Sequence, residues 1–307
     1  MIYFVSPNLK YSGNVSTISR ISKYFNNSKI IFTDQIQNIN FKSEDLIIAL
    51  HAFKAGKYLI EQGLNFYIII GGTDLNCDFF DSEKKKIILK VLFESNKIIV
   101  FNQYQKKCLS NLGFSNKINI IPQSIGNLEI DKEFNLKKYL NIDSNKRVFL
   151  IVGNLRRVKD PFFLLNSFKY FYEKYNDNFV YIGNNLDSFE VNYNWIHHIN
   201  GLDQNSTYAA IKDCNGLINT SISEGMSITI LEAMKLGVPV YARINNSNEF
   251  IIQNNINGFL FETIQEFNHI FEINRNKNIE KIINTALSMV NEIYNLENEK
   301  KSYLKII

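Results

Sequence analysis

The chain has 307 residues, of which 45% are hydrophobic and 21% charged, a balance typical of globular proteins that excludes a disordered or fibrous chain. The 34 basic and 30 acidic residues leave a net charge of +4, too small an excess for a dedicated nucleic-acid-binding protein. Three widely spaced cysteines exclude a disulfide framework, and the absence of CxxC and HExxH patterns argues against a zinc site. No apolar run reaches the roughly 20 residues of a membrane span. We therefore expect a cytoplasmic protein, with weak association to anionic membranes left open.

The first half of the chain alternates short apolar runs with longer helix-like stretches. Buried strands are predicted at Ile2–Ser6, Ile30–Thr33, Leu46–Leu50, Phe66–Ile70 and Lys97–Phe101. The stretches between them favour helices at 14–26, 53–62, 82–95 and 103–112. This alternation predicts a parallel sheet with crossover helices.

The alternation stops in the polar segment 125–146 and then begins again. The second series is predicted at Val148–Val152, 160–175, Asn178–Ile182, 204–213, Gly216–Asn219, 225–236, Val238–Ala242 and 247–254, with helical spacing throughout 264–304. The predicted division is an N-terminal domain 1–128, a linker 129–146, a C-terminal domain 147–280 and a final helix 281–307, whose packing against the N-terminal domain is left open. We expect an α/β protein with two doubly wound, Rossmann-like domains that face a cleft and bind ligands at the carboxyl ends of their strands.

The most informative segment is NTSISEGMSITILEAMKLGVPVYA (219–242). A strand is predicted to end near Asn219, and a helix to begin near Gly225 after a turn of small residues. The unpaired N–H groups of a first helical turn, together with the helix dipole, favour an anion such as phosphate. Hydroxyl groups at Ser221, Ser223 and Ser227 could add hydrogen bonds.

Two glutamates, Glu224 and Glu232, bracket the start of this predicted helix. If both lay on the helix they would be about 12 Å apart along its axis, too far to share a metal ion or to act as a close carboxylate pair. They suit the two ends of a nucleotide sugar, with sugar hydroxyls at Glu224 and ribose hydroxyls at Glu232. The alternative is a capping carboxylate and a surface salt bridge.

A second segment, VGNLRRVKDPFFLL (152–165), places basic residues directly after a predicted strand. Arg156, Arg157 and Lys159 could neutralise a diphosphate leaving group. Pro161 is expected to open the following helix. The alternative is a solvated basic loop.

Polar residues also follow three strands of the N-terminal half. Asn14 and Thr17, in the segment SGNVST (12–17), could bond ligand oxygens; alternatively Ser12 or Asn14 caps a helix. His51 ends a buried strand, where it is either a ligand-facing residue or a core or capping residue.

The third of these turns is GGTDLN (71–76). Gly71 and Gly72 permit a tight turn beneath a ligand, and Thr73, Asp74 and Asn76 could bond sugar hydroxyls; the alternative is a glycine turn with a capping Asp. No GxGxxG follows a predicted strand and no GxxxxGK[ST] is present, so a dinucleotide cofactor and a P-loop are disfavoured.

Together these segments resemble the nucleotide-sugar glycosyltransferases of the two-domain GT-B fold, in the retaining family four that carries the glycosyl transferases group 1 domain. The resemblance covers most of the chain and is carried by GNVST, ALHAFKAG, GGTDLN, IIPQS, LRRVKDP and SEGMSITILEAM. Within that family the sequence is most similar to the glycosyltransferase 1 domain-containing proteins and to selenosugar synthase.

The resemblance implies a metal-independent, retaining transfer of a hexose from a nucleotide diphosphate sugar, with UDP as the expected nucleotide, to an unidentified acceptor. It implies no cofactor. The residues expected to act in catalysis are Glu224, Lys159, Arg156, Asp74 and His51. The residues expected to bind the donor are Gly13, Asn14, Thr17, Gly72, Thr73, Arg157, Ser223, Gly225, Met226, Ser227, Ile228 and Glu232.

The sequence departs from the family pattern at two positions. Asn154 stands where the family has an arginine, so Arg156 or Arg157 would have to supply that charge. The histidine of the family's HGxD-like turn is absent from GGTD, which leaves Asp74 and His51 to contact the sugar. Two other functions stay open: transfer to selenophosphate or another small nucleophile, and nucleotide-sugar binding without catalysis.

Overall fold

The computed structural model describes residues 1–7 and 13–307, which form two compact units. Unit 1 comprises Met1–Gln123 and Glu297–Ile307, and unit 2 comprises Ser124–Leu296. No helix in these described ranges is both long and apolar enough to cross a bilayer.

Unit 1 is built on one parallel sheet. Its strands are β1 Ile2–Ser6, β2 Ser28–Phe32, β3 Leu46–Leu50, β4 Phe66–Ile69, β5 Lys97–Val100 and β6 Ile118–Ile120, in the order β2-β1-β3-β4-β5-β6. Its helices are α1 Gly13–Ser22, α2 Lys57–Glu61, α3 Gly72–Asn76, α4 Ser82–Glu94 and α5 Gln103–Asn111. Short helical segments of the 3-10 or π type lie at Thr33–Asn38, Ala52–Gly56, Asp78–Phe80 and Ser115–Lys117. Consecutive residues of β3, from Ile47 to Leu50, are buried, as expected of a strand covered on both faces.

Unit 2 repeats the arrangement with a second parallel sheet. Its strands are β7 Val148–Val152, β8 Asn178–Ile182, β9 Ile196–Ile199, β10 Gly216–Asn219, β11 Val240–Arg243 and β12 Phe259–Phe261, in the order β12-β11-β10-β7-β8-β9. Its helices are α6 Leu136–Tyr139, α7 Leu165–Tyr175, α8 Gln204–Asp213, α9 Ile228–Lys235, α10 Asn248–Ile251, α11 Ile264–Asn274 and α12 Glu280–Ile293. A final helix, α13 Leu296–Ile306, ends the chain.

Aromatic side chains fill the core of unit 2 on one side of its sheet. Phe168 of α7 stacks on Phe179 of β8 with ring centroids 4.1 Å apart, and Phe271 of α11 lies 4.6 Å from Phe149 of β7. All four rings are fully buried or nearly so. These contacts hold α7 and α11 against β8 and β7, and β7 is the strand that leads into the loop of Arg156, Arg157 and Lys159.

The two parallel sheets confirm the predicted α/β class, but several predicted helices were wrong in extent. Residues 264–304 form three helices, α11 to α13, and not one continuous helix. The predicted helix 53–62 divides into a π-type turn at Ala52–Gly56 and α2. Pro161 does not open a helix, because Asp160 adopts a left-handed conformation (φ 42°) and α7 begins only at Leu165.

Several elements were not predicted, among them α3, α6, β6, β9 and β12. Strand β9 contains His197 and His198, and β12 has only three residues, so neither produces a long apolar run. The four-residue helix α6 lies in the polar segment interpreted as a linker. Short elements of this kind depend on their neighbours in the fold more than on local pattern.

A buried network attaches α13 to α1 within unit 1. Arg20 makes two hydrogen bonds to Glu299, from Nε at 2.9 Å and from Nη2 at 3.0 Å, and Tyr24 donates to the same carboxylate at 2.5 Å. The Glu299 side chain is 1% exposed. Burial opposes the charge of Arg20, but the bonds to Glu299 and its negative charge raise the pKa of Arg20 above its ordinary value.

We expect Glu299→Gln to lower the free energy of unfolding of unit 1 by about 3 kcal/mol, since it leaves the charge of Arg20 uncompensated in a buried position. The measurement is urea denaturation combined with hydrogen exchange of the α1 amides. Glu297→Gln is the matched control, because Glu297 pairs with Lys301 while both are 64–73% exposed. Its effect should stay within about 0.5 kcal/mol. Equal effects of the two substitutions would contradict the network's role.

Candidate functional site

The site in unit 2 is formed by the loops that follow two adjacent strands, β7 and β10. The strands pair in parallel, so both loops leave the same edge of the sheet. The backbone N–H of Ile222 donates to the carbonyl of Val158 at 2.9 Å, and the hydroxyl of Thr220 donates to the carbonyl of Lys159 at 2.8 Å. These bonds join the basic loop to the turn that precedes α9.

An ion pair forms where the two loops meet. Lys159 Nζ lies 2.5 Å from Glu224 Oε1, and Ser221 Oγ donates to the same oxygen at 2.7 Å. Burial disfavours the charge of Glu224, yet the nearby ammonium and its hydrogen bonds hold the pKa of this carboxyl below its ordinary value. The two side chains are 30% and 12% exposed, so Lys159 keeps an accessible surface.

Helix α9 begins at Ile228, three residues later than predicted from Gly225. The side chain of Asn219 explains the delay, because it accepts from Ser221 N at 3.1 Å and donates to Ser227 Oγ at 3.2 Å. These bonds hold the turn in a non-helical form. The predicted donor-binding residues Ser223, Gly225, Met226 and Ser227 therefore lie in this turn, and Ile228 provides the first N–H of the helix.

Glu232 lies on α9 and Glu224 in the turn before it, so the distance expected for two residues of one helix does not apply. Tyr208 of α8 donates to Glu232 Oε1 at 3.0 Å, and Gln204 Nε2 donates to the Tyr208 hydroxyl at 2.5 Å. Neither Tyr208 nor Gln204 was among the predicted site residues.

The other basic residues of the loop have different surroundings from Lys159. Arg156 and Arg157 are exposed, and the backbone N–H of Arg157 donates to Asp187 at 2.6 Å. Asn154, at the position of the family's arginine, accepts from the backbone N–H of Asn184 at 3.0 Å. Of the basic side chains singled out in this loop, Lys159 is the one that the structure places at the turn.

In unit 1 the fully buried carboxylate of Asp74 organises the ends of β3 and β4. It accepts hydrogen bonds from the backbone N–H groups of Ala52, Phe53 and Gly71 at 2.8–3.0 Å. His51 Nδ1 lies 2.7 Å from the same carboxylate, and His51 Nε2 lies 2.5 Å from Thr73 Oγ1. The structure thus brings together three of the predicted site residues, namely His51, Thr73 and Asp74.

His51 has an unusual backbone conformation for a residue with a side chain, with φ at 84°. Such a conformation costs about 1–3 kcal/mol and persists only where the surroundings impose it. Here the bonds from Asp74 to the next two backbone N–H groups impose it.

Asp78 is a further acidic residue at this site that the sequence analysis missed. One oxygen is 2.9 Å from Lys84 Nζ, while the other is buried and has no hydrogen-bond partner within residues 1–7 and 13–307. This second oxygen faces His51 Nε2 at 3.8 Å. The sequence signal for Asp78 is weak, because it stands four residues after Asp74 but in the short helical segment that follows α3.

Donor atoms of His51, Asp74 and Asp78 lie within 4.8 Å of one another, close enough to surround a metal ion. The bonding already present is unfavourable for a cation, because Asp74 is occupied by backbone N–H groups and the ammonium of Lys84 contacts Asp78.

The remaining predicted donor-binding residues lie near the starts of α1 and α3. Thr17 is buried and donates to Gln123 Oε1 at 2.9 Å, which turns its hydroxyl into unit 1. Gly13 and Asn14 open α1, and Gly72 opens α3; Ser12 lies outside the described residues. A Cβ atom added at Gly13 would meet no described atom within 4 Å.

Residues 132–272 match the family described as glycosyl transferases group 1. The chain is 30% identical to glycosyltransferase 1 domain-containing protein 1 of Xenopus tropicalis, in an alignment that covers 100% of this chain and 97% of the relative. It is also 28% identical to UDP-Gal:alpha-D-GlcNAc-diphosphoundecaprenol alpha-1,3-galactosyltransferase of Escherichia coli, over 54% of this chain and 46% of that enzyme.

Solved structures show the same fold. Alr3699/HepE of Anabaena in complex with UDP-glucose superimposes with a TM-score of 0.82 at 15% identity, covering 99% of this chain and 98% of that one. The pneumococcal O-GlcNAc transferase GtfA superimposes with a TM-score of 0.70 at 15% identity, covering 89% and 58%. The family match and the full-length relative, together with this GT-B fold, establish that the chain belongs to the glycosyl transferases group 1 family and is a glycosyltransferase.

Proposed function

We propose that this glycosyltransferase transfers a hexosyl unit from a UDP-sugar to an acceptor, with retention of anomeric configuration and without a metal ion. The observation that carries the proposal is the contact of Lys159 with Glu224 at the turn before α9. It places a partly exposed ammonium at the turn that leads into α9, and positive charge near a helix N-terminus suits a diphosphate.

In this proposal the donor diphosphate replaces the carboxylate of Glu224 as the partner of Lys159. Lys159 pairs with Glu224, and a diphosphate would attract the same ammonium with a larger charge. Glu224 would then be released to accept hydrogen bonds from hydroxyls of the transferred sugar. Arg156 and Arg157, both exposed on the same loop, would add positive charge around the leaving group.

Glu232 would bind the ribose of the nucleotide. It lies on α9, beyond the N–H groups that would hold the phosphates, so the order of groups along the helix matches the order within a nucleotide sugar. The choice of UDP is supported by relatives: the Escherichia coli enzyme is named for UDP-Gal, and HepE was solved with UDP-glucose.

Unit 1 would contribute a hydrogen-bonding group for a ligand hydroxyl. Thr73, which is partly exposed beside His51, carries a hydroxyl that suits a hydroxyl-bearing ligand better than an anionic one. Retention would follow if the leaving diphosphate takes the acceptor proton on the face from which it departs.

We expect UDP and UDP-hexoses to raise the melting temperature by about 5 °C or more at 100-fold excess over Kd, because a ligand bound only to the native state stabilises it. GDP- and ADP-sugars serve as controls for the base. In an acceptor screen that includes sugars, lipid-linked sugars and small nucleophiles such as selenophosphate, NMR of the product should show the donor's anomeric configuration. An absence of stabilisation by any nucleotide sugar would refute the proposal.

We expect Lys159→Gln to lower kcat about 100-fold, because it retains a hydrogen-bond donor for Glu224 but removes the charge that stabilises the leaving diphosphate. Glu232→Ala should instead raise the donor KM about tenfold, through the loss of ribose hydrogen bonds. Initial rates over a range of donor concentrations separate the two effects.

The matched controls are Lys169→Gln and Glu173→Ala, which alter an exposed ion pair on α7. Both should retain the wild-type kcat and KM. A wild-type kcat in Lys159→Gln, with the donor consumed normally, would exclude the proposed role of the ammonium.

We expect EDTA to leave the initial rate within about twofold, because Lys159 and helix N–H groups provide the charge stabilisation that a metal ion otherwise supplies. The same assay with added Mn²⁺ or Mg²⁺ should show no stimulation. A loss of activity in EDTA that either ion restores would show the metal-independent mechanism to be wrong.

A further inference from the structure

A chain of hydrogen bonds connects α8 to the glutamate of α9. Gln204 and Tyr208 are four residues apart on α8 and therefore share one helix face. Gln204 Nε2 donates to the Tyr208 hydroxyl at 2.5 Å, and that hydroxyl donates to Glu232 Oε1 at 3.0 Å. The Oε1 atom of Glu232 thus has a hydrogen-bond donor within the protein, the hydroxyl of Tyr208.

The direction of these bonds is set by chemistry. The amide group of Gln204 can only donate through Nε2, and a carboxylate can only accept, so the phenol accepts from one and donates to the other. Burial and the charge of Glu232 raise the pKa of Tyr208 well above its ordinary value, which keeps the phenolic proton in place. Tyr208 is 6% exposed, and its ring has little freedom to move.

A glutamate side chain on a helix surface has several rotamers, and only some of them direct the carboxylate to a given ligand. The bond from Tyr208 selects the rotamers that keep Oε1 at the phenol. A carboxylate has about four acceptor positions, and the bond from Tyr208 uses one of them.

We propose that Tyr208 is a positioning residue that makes Glu232 selective for ribose over 2′-deoxyribose. The proposal rests on the proposed function, in which Glu232 accepts from the ribose hydroxyls. A site that presents a fixed acceptor to a hydroxyl discriminates against the analogue without it, whereas a mobile acceptor discriminates less. Tyr208 therefore acts through Glu232 and not by touching the nucleotide.

The test is calorimetric titration of UDP and 2′-deoxy-UDP into wild type, Tyr208→Phe, Glu232→Ala and Tyr175→Phe. Wild type should prefer UDP by about tenfold or more. Tyr208→Phe should bind 2′-deoxy-UDP as wild type does but bind UDP more weakly, so that the preference falls below about threefold. Tyr175→Phe is the matched control, because Tyr175 also donates to a glutamate, Glu272 at 2.5 Å, on other helices of unit 2. It should keep the wild-type preference.

The outcomes separate the two proposals. Loss of the preference in Glu232→Ala with a wild-type preference in Tyr208→Phe would overturn the role of Tyr208 alone. A wild type that binds neither nucleotide, or a Glu232→Ala variant that keeps the preference, would refute the proposed function itself. If Tyr208→Phe does not fold, Gln204→Ala replaces it, since Gln204 is exposed. This variant removes the donor that fixes the phenol and should give an intermediate preference; a wild-type preference would overturn the role of Tyr208.

Discussion

The candidate site of unit 2 is organised around one ion pair, between Lys159 on the loop after β7 and Glu224 on the loop after β10. Two further hydrogen bonds join these loops, from Thr220 to the carbonyl of Lys159 and from Ile222 to the carbonyl of Val158. The backbone of Lys159 is therefore held beside the turn that precedes α9 by bonds that do not involve its ammonium. In the proposed mechanism, a diphosphate replaces Glu224 as the partner of Lys159, and the same event makes the carboxylate of Glu224 available to the sugar.

Unit 1 uses a buried carboxylate in a different way. Asp74 has no solvent exposure and binds three backbone N–H groups, so its role is to fix the strand ends around it. The consequence is a strained His51 whose ring is held between two carboxylates, those of Asp74 and Asp78. Backbone strain of this kind is typical of functional sites, where geometry is maintained at the expense of stability.

Apolar runs predicted the central strands well, and β7 and β10 have the predicted bounds. These strands are buried on both faces, so nearly all of their side chains are apolar and the strands stand out as continuous apolar runs in the sequence. The start of α9 was predicted three residues early because the side chain of Asn219 bonds Ser221 and Ser227, which competes with helical backbone bonds. Such side-chain bonds leave no periodic signal in the sequence.

The hydrogen-bond partners of Glu224 and Glu232 show that a sequence motif can locate a site without predicting the contacts made there. The spacing of Glu224 and Glu232 is visible in the sequence, but Lys159 is 65 residues from the first and Tyr208 is 24 residues from the second. Lys159 reaches Glu224 because β7 is the direct neighbour of β10 in the sheet, an order that strand patterns do not reveal. Tyr208 reaches Glu232 because α8 packs beside α9. A glutamate with a different neighbour would have a different pKa and a different rotamer, so the chemistry of the motif is determined by the sheet order and helix packing around it.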